Sequence, residues 1–190
     1  MANILGLDSA IKLYKSLREF LSRKDVEATL ANQFVELRRA SDIPVHVLDV
    51  FVLELVQNIA IADGKLTQNE IDLAEIITGF RFRDEVLQKI HTTFACSKRV
   101  PVAVILVCCA DYKYHNKIKG LRIVDEIYEL ARFTTFATSW ADNNPAITET
   151  WKSNELLKTT CEFIEEYKKK RDNNLPIDWA KISRENFYRN

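Results

Sequence analysis

Apolar residues recur at helical rather than alternating spacing along most of the chain. Leu7, Ala10, Ile11, Tyr14, Leu17 and Leu21 follow Asp8 and Ser9, both competent N-caps, and predict an amphipathic first helix. Val26, Leu30, Phe34 and Leu37 predict a second, with Arg38 and Arg39 placed where cations suit a C-terminal dipole. Ser41 and Asp42 precede Pro44, a cap followed by an N1 proline that opens a third helix. Its apolar positions Leu48, Phe51, Val52, Leu55, Val56, Ile59 and Ala62 wrap around more than one face, as expected of an element packed between neighbours. Ile71, Ala74, Ile76 and Ile77 mark a fourth helix that stops near Gly79.

Val86, Leu87, Ile90 and Phe94 give a fifth amphipathic segment from Arg83 to Ala95, and Ser97 with Pro101 opens an apolar sixth. The run Val102 to Val107 is β-branched enough for a buried strand, but no second convincing strand pairs with it, so the helix is preferred. Leu121, Val124, Ile127, Tyr128 and Ala131 define a seventh helix to about Trp140, before the break at Asn143, Asn144 and Pro145. Leu157, Cys161, Ile164 and Tyr167 form the last. Beyond it, Asp172 to Asn190 reads as a partly ordered tail anchored by Trp179 and Phe187. The expectation is an all-α, single-domain bundle of about seven to eight helices. Within it, residues 1–43 form N-terminal helices on a core at 44–141, followed by a C-terminal helix at 142–171 and the tail at 172–190.

Composition supports that class. Only four Gly and four Pro occur in 190 residues, too few for the hairpins of an all-β fold or the phosphate loop of a Rossmann fold. Twenty-seven basic residues balance 27 acidic ones, so no global field draws in nucleic acid or an anionic membrane. The longest apolar run, Val100 to Ala110, falls well short of the roughly twenty residues that cross a bilayer and reads as a buried core helix. The opening residues carry neither a basic n-region nor an unbroken apolar stretch. Cys96, Cys108, Cys109 and Cys161 include no CxxC pair, which favours buried, reduced thiols over a zinc site with His91 and His115. A cytoplasmic location is therefore expected.

One stretch carries chemical content. Asp63-Gly64-Lys65-Leu66-Thr67 with Glu70 has the layout of the second half of a calcium loop, with glycine at the sharp turn and a terminal glutamate. The first half is missing, because Ile59 and Ile61 occupy the early ligand positions and offer no side-chain oxygen. Architecture accounts for the same residues: Gly64 as a left-handed C′ residue, Thr67 as an N-cap, and Glu70 completing a capping box. Asp63 is then an acid at a helix C-terminus, where the dipole is unfavourable, which suggests a second interaction with a cation or a partner's donor. Both readings stand at this point.

The segment Ile59-Ala60-Ile61-Ala62-Asp63-Gly64-Lys65-Leu66-Thr67-Gln68-Asn69-Glu70-Ile71 resembles the signature of the tellurite-resistance TerB-like domain. That resemblance implies an all-helical bundle with an internal pseudo-duplication, each half giving acids to a metal-binding cluster. The second half would be Val107-Cys108-Cys109-Ala110-Asp111-Tyr112-Lys113, 48 residues on, and it is degenerate: Tyr112 stands in place of the glycine and Ile118 in place of the glutamate. The implied metal site is Asp63, Glu70 and Asp111, with a divalent cation, calcium foremost. The implied function is that of a non-enzymatic module in a bacterial stress or defence system, binding a cation or a protein partner at the acidic interhelical turn. Peripheral contact with a membrane also fits such modules. The alternative is a metal-free interaction or regulatory domain that works with a larger partner such as an ATPase or chaperone.

Elsewhere the chemistry is sparse. Lys168-Lys169-Lys170-Arg171 lies beside Glu165 and Glu166 and reads as a solvated helix end rather than a nucleic-acid patch. His46, His91 and His115 stand in no recognisable triad, and the four glycines are too far apart for a phosphate loop, so no enzyme is expected. Trp140, Trp151 and Trp179 fall in the last third, as core residues or as a partner-facing patch.

Overall fold

A computed structural model describes residues 6–34, 44–63, 67–82, 99–141 and 155–187, with the side chains of 60–63, 140, 141, 155 and 187 outside the description. The described residues form eight helices and no strand: α1 (Leu7–Leu21), α2 (Lys24–Gln33), α3 (Pro44–Asp63), α4 (Gln68–Thr78), α5 (Val102–Tyr114), α6 (Ile123–Ala141), α7 (Glu155–Asp172) and α8 (Trp179–Phe187). The all-helical bundle expected from the spacing is what folds. The segment expected as a fifth helix, Arg83 to Ala95, lies outside the described residues. So do Leu37 to Asp42, the Gly64 turn, Cys96 and Trp151.

Two helices form the centre. In α5 every residue from Ala103 to Asp111 is buried, which explains why its sequence shows no polar face. The β-branched run folds as helix because its neighbours are helices. It packs on α2, α3, α6, α7 and α8, with no strand among the described residues to pair with. In α3 the residues from Phe51 to Gln57 are all buried, and α1, α4, α5 and α6 surround it. Among the described helices the most extensive contact runs between α1 and α6. Among the described residues no helix is long and apolar enough to cross a membrane.

Helix ends follow the local chemistry. Pro44 opens α3 as its first residue. Gly79 ends α4 at φ 68°, a left-handed conformation that glycine adopts without steric penalty, and its N–H donates to the Glu75 carbonyl at 2.7 Å. The expected tail differs most from its sequence reading. α7 stops at Asn174 (φ 52°), where the Leu175 N–H reaches back to the Lys170 carbonyl at 2.8 Å, and a further helix, α8, follows with Trp179 buried. Nine residues are too few for a free-standing helix, so α8 owes its order to docking rather than to intrinsic propensity.

Candidate functional site

The three acids singled out by sequence occupy three different situations. Asp63 is the last residue of α3, and its side chain lies outside the description. Glu70, at the third position of α4, is buried, and its Oε2 accepts the Thr67 N–H at 2.7 Å and the Thr67 Oγ1 hydroxyl at 2.9 Å. This is the capping box anticipated from Thr67 and Glu70. It lets a carboxylate sit buried at a helix N-terminus, where orphan N–H groups and the dipole favour negative charge. Replacing Thr67 by Ala is expected to lower stability by about 1 kcal/mol, read as a shift in urea midpoint at unchanged slope.

Asp111 lies in the last turn of α5, 1% exposed, and its Oδ2 accepts the Tyr167 hydroxyl at 2.6 Å and the Arg171 Nη1 at 2.8 Å, both from α7. Its Oδ1 is buried without a hydrogen-bond partner. Burial first, and then the Asp111 hydrogen bond, holds the Tyr167 phenol well above its ordinary pKa. Burial works against the charge on Arg171, but its bonds to Asp111 and Asp172 outweigh that and raise its pKa.

A second clasp of the same construction joins α1 to α3, and sequence inspection missed it. Asp49 on α3 is buried and accepts the Tyr14 hydroxyl, while Arg18 bonds the same phenol oxygen at 2.6 Å and stands 3.7 Å from the carboxylate. In both clasps the arginine lies over its own tyrosine ring, at 5.8 Å for Arg18 and 5.7 Å for Arg171. The shared signal is Tyr-x-x-x-Arg, which puts phenol and guanidinium on one helix face and allows both to meet a single carboxylate on the facing helix. His46 adds a third contact at Asp49, its Nδ1 3.4 Å from Oδ2.

The basic run at the end of α7 is largely neutralised. Lys168 pairs with Asp125 at 2.6 Å, Lys170 with Glu166 at 2.6 Å, and Arg171 with Asp111. Burial raises the pKa of the Cys108 thiol well above normal and that of Cys109 to about 12, and it also raises Cys161, so the three described thiols are poor nucleophiles.

Among the described residues no three His, Cys, Asp or Glu side chains gather as metal ligands. Asp111 is a poor cation ligand on electrostatic grounds, because the guanidinium on its Oδ2 is permanently charged. Glu70 would have to release the α4 cap to coordinate through Oε2.

The outer face of α4 offers a different kind of feature. A shallow hollow of about 350 Å³ is lined by Asp72, Glu75, Ile76, Gly79, Phe80 and Arg81. Ile76 and Phe80, each 39% exposed, are two of the three large hydrophobic side chains that the described residues expose. Phe80 is fixed edge-on between His46 (ring centroids 6.1 Å apart) and Phe82 (5.5 Å). The Phe80 N–H bonds Thr78 Oγ1 at 3.1 Å and the Phe82 N–H bonds Glu75 Oε1 at 3.0 Å, which ties residues 79–82 to the end of α4.

No family model matches the sequence, and neither a curated protein nor a solved structure matches the chain.

Proposed function

We propose that this chain is a non-enzymatic, TerB-like interaction module that docks a protein partner on the outer face of α4 without a metal. The observation that carries the reading is the pair Ile76 and Phe80, both exposed and both lining one hollow, with the Phe80 ring packed between His46 and Phe82. Docking on a rigid aromatic loses little conformational freedom, so such residues make efficient anchors. Asp72 and Glu75 on the same rim favour a partner segment that brings an apolar anchor flanked by a cation. The engagement of Glu70 in a cap and of Asp111 with Arg171 supports a structural role for those acids. The raised thiols support a role other than catalysis.

Two measurements test the proposal. Cross-linking mass spectrometry on cell extract is expected to place cross-links at residues 72–81, and Ile76→Asp with Phe80→Asp is expected to remove them while helical content is unchanged. Cross-links elsewhere, or unaffected by the pair, would overturn the surface. Calcium calorimetry is expected to give no saturable heat with the native chain. Saturable heat that Asp63→Asn abolishes would establish a cation site and overturn the metal-free reading.

A further inference from the structure

Three large hydrophobic side chains stand exposed among the described residues, and they fall in two places. Ile76 and Phe80 line the hollow on α4. The third, Leu175, is 50% exposed at the corner between α7 and α8, and it does not line that hollow. α4 packs chiefly on α1, α3 and α6, whereas α7 packs chiefly on α5 and α6, so hollow and corner belong to different parts of the surface. A single exposed leucine calls for no explanation in itself. What sets Leu175 apart is how firmly its position is held and what charge lies beside it.

The corner is fastened on both sides. On the α7 side Asn174 takes the left-handed conformation that closes a helix, with its N–H on the Arg171 carbonyl at 3.0 Å and the Leu175 N–H on the Lys170 carbonyl at 2.8 Å. Asn173 Nδ2 adds a bond to the Lys169 carbonyl at 2.7 Å. On the α8 side Ile177 packs partly buried against the core and Trp179 is buried. Between these points Pro176 has its φ fixed by its own ring. Residues 172–176 are all exposed, so the corner holds Leu175 out toward solvent on a backbone that is already ordered. Such a backbone has little freedom left to lose on docking.

Charge distinguishes the two places as well. In the last turn of α7, Lys168, Lys170 and Arg171 are paired with Asp125, Glu166 and Asp111, while Lys169 is exposed and has no carboxylate within ion-pair distance among the described residues. Around the hollow, Asp72 and Glu75 stand with one guanidinium, that of Arg81. Among the described residues both carboxylates accept from neutral donors alone, Gln68 Nε2 at 2.7 Å and the Phe82 N–H at 3.0 Å. An apolar cavity of about 150 Å³ takes up a benzene. At about 350 Å³ the hollow has room for the isobutyl group of a leucine.

We propose that the α4 hollow receives the Leu175 corner of a second copy of this chain, with the second copy's Lys169 facing Asp72 and Glu75. The proposal rests on the reading of the α4 face as a docking surface and names its occupant. That face asks for an apolar anchor flanked by a cation, and the corner is the place on the described surface that presents both. Because corner and hollow are different surfaces, the contact is heterologous. A chain docked through its corner still offers its own hollow, so association continues head to tail unless a ring closes.

The test is sedimentation equilibrium of the purified full chain. Its weight-average mass is expected to rise above that of the monomer as concentration approaches about 1 mM, the range suited to so small a contact. Leu175→Asp, and separately Ile76→Asp with Phe80→Asp, are each expected to weaken association by about tenfold or more with helical content retained. Mixing the two variants covers the case in which a substitution disturbs more than the contact. The first keeps its hollow and the second keeps its corner, so each alone is expected to be monomeric and the mixture to form a heterodimer. Carbodiimide treatment of an equal mixture of ¹⁴N- and ¹⁵N-labelled native chains is expected to join Lys169 to Asp72 or Glu75 in mixed-isotope pairs. A native chain monomeric at every concentration, association indifferent to Leu175→Asp, a mixture that stays monomeric, or Lys169 links confined to single-isotope pairs would each overturn the second copy as occupant. The α4 face itself is decided separately by the cross-links in cell extract: links from residues 72–81 to a different protein, with the purified chain monomeric, would remove self-docking and leave that reading standing.

Discussion

Asp111→Asn is expected to destabilise the fold by about 2 to 4 kcal/mol, the larger of the two clasp effects, because it leaves a mostly buried guanidinium without its counter-charge. Arg171 is 21% exposed and Asp111 1% exposed, so the pair is partly shielded from water, and neither partner escapes without moving α7 off α5. The asparagine still accepts from Tyr167, which confines the loss to the charge. In the Asp49 clasp, Arg18 and His46 are 42% and 47% exposed and can turn into solvent, so Asp49→Asn is expected to have less than half the effect. Urea unfolding of both variants gives the comparison, and a double-mutant cycle of Asp111→Asn with Arg171→Met isolates the coupling. Equal losses at the two sites, or a coupling near zero, would show that exposure does not govern these clasps.

The clasps also show where the sequence was legible and where it was not. Helix periodicity identified α1, α3, α4 and α7 from one-dimensional spacing, because an amphipathic stripe is a local property of the chain. α5 was the ambiguous case. An element buried on all sides has no polar face to reveal its period, and its β-branched residues fit strand as well as helix. α8 was read as a tail because a short polar segment shows its order only once a socket exists to hold Trp179.

The candidate site divides along the same line. The capping box at Thr67 and Glu70 was readable because both partners lie within one turn. The partner of Asp111 lies 60 residues away on α7, and the Asp49 clasp spans 35 residues from Tyr14. Spacing along the chain carries no information about such pairs. Arg171 in particular read as one of four solvated cations, and the fold instead turns it inward onto a buried acid. The Tyr-x-x-x-Arg pattern on two flanking helices was the available signal, and it became meaningful only beside a buried aspartate on each facing helix. The Ile76 and Phe80 face was hidden for the opposite reason: Ile76 entered only as one of the apolar residues marking the fourth helix, and exposure depends on what else packs nearby.

Native stability is expected to fall between about pH 4.5 and pH 8, and Glu54→Met to remove most of that slope. Glu54 lies mid-way along α3, 6% exposed, and desolvation alone pushes its pKa from the ordinary 4.5 to about 8. In the folded chain the carboxyl therefore holds its proton across this window, while in the unfolded chain it releases it. Below the unfolded pKa both states are protonated and the group adds no penalty. As pH rises from there, ionisation favours the unfolded state by about 1.4 kcal/mol per unit, until the folded carboxyl also ionises near the top of the window. The acids with depressed pKa, Asp25 beside Arg23, Asp125 beside Lys168 and Glu166 beside Lys170, act with the opposite sign and at lower pH, so they do not mask the effect. Gln57, one turn further along α3, is buried with both amide atoms unpartnered, so its amide does not bond the Glu54 carboxyl. A methionine has similar length, no charge to desolvate and good helix propensity. Urea midpoints of native and Glu54→Met chains at several pH values check the claim. The two are expected to be closest at the acidic end and to separate steadily, with the variant the more stable near pH 8. Parallel curves would mean that Glu54 ionises in the folded chain as readily as in water, and that the centre of the bundle is wetter than its packing implies.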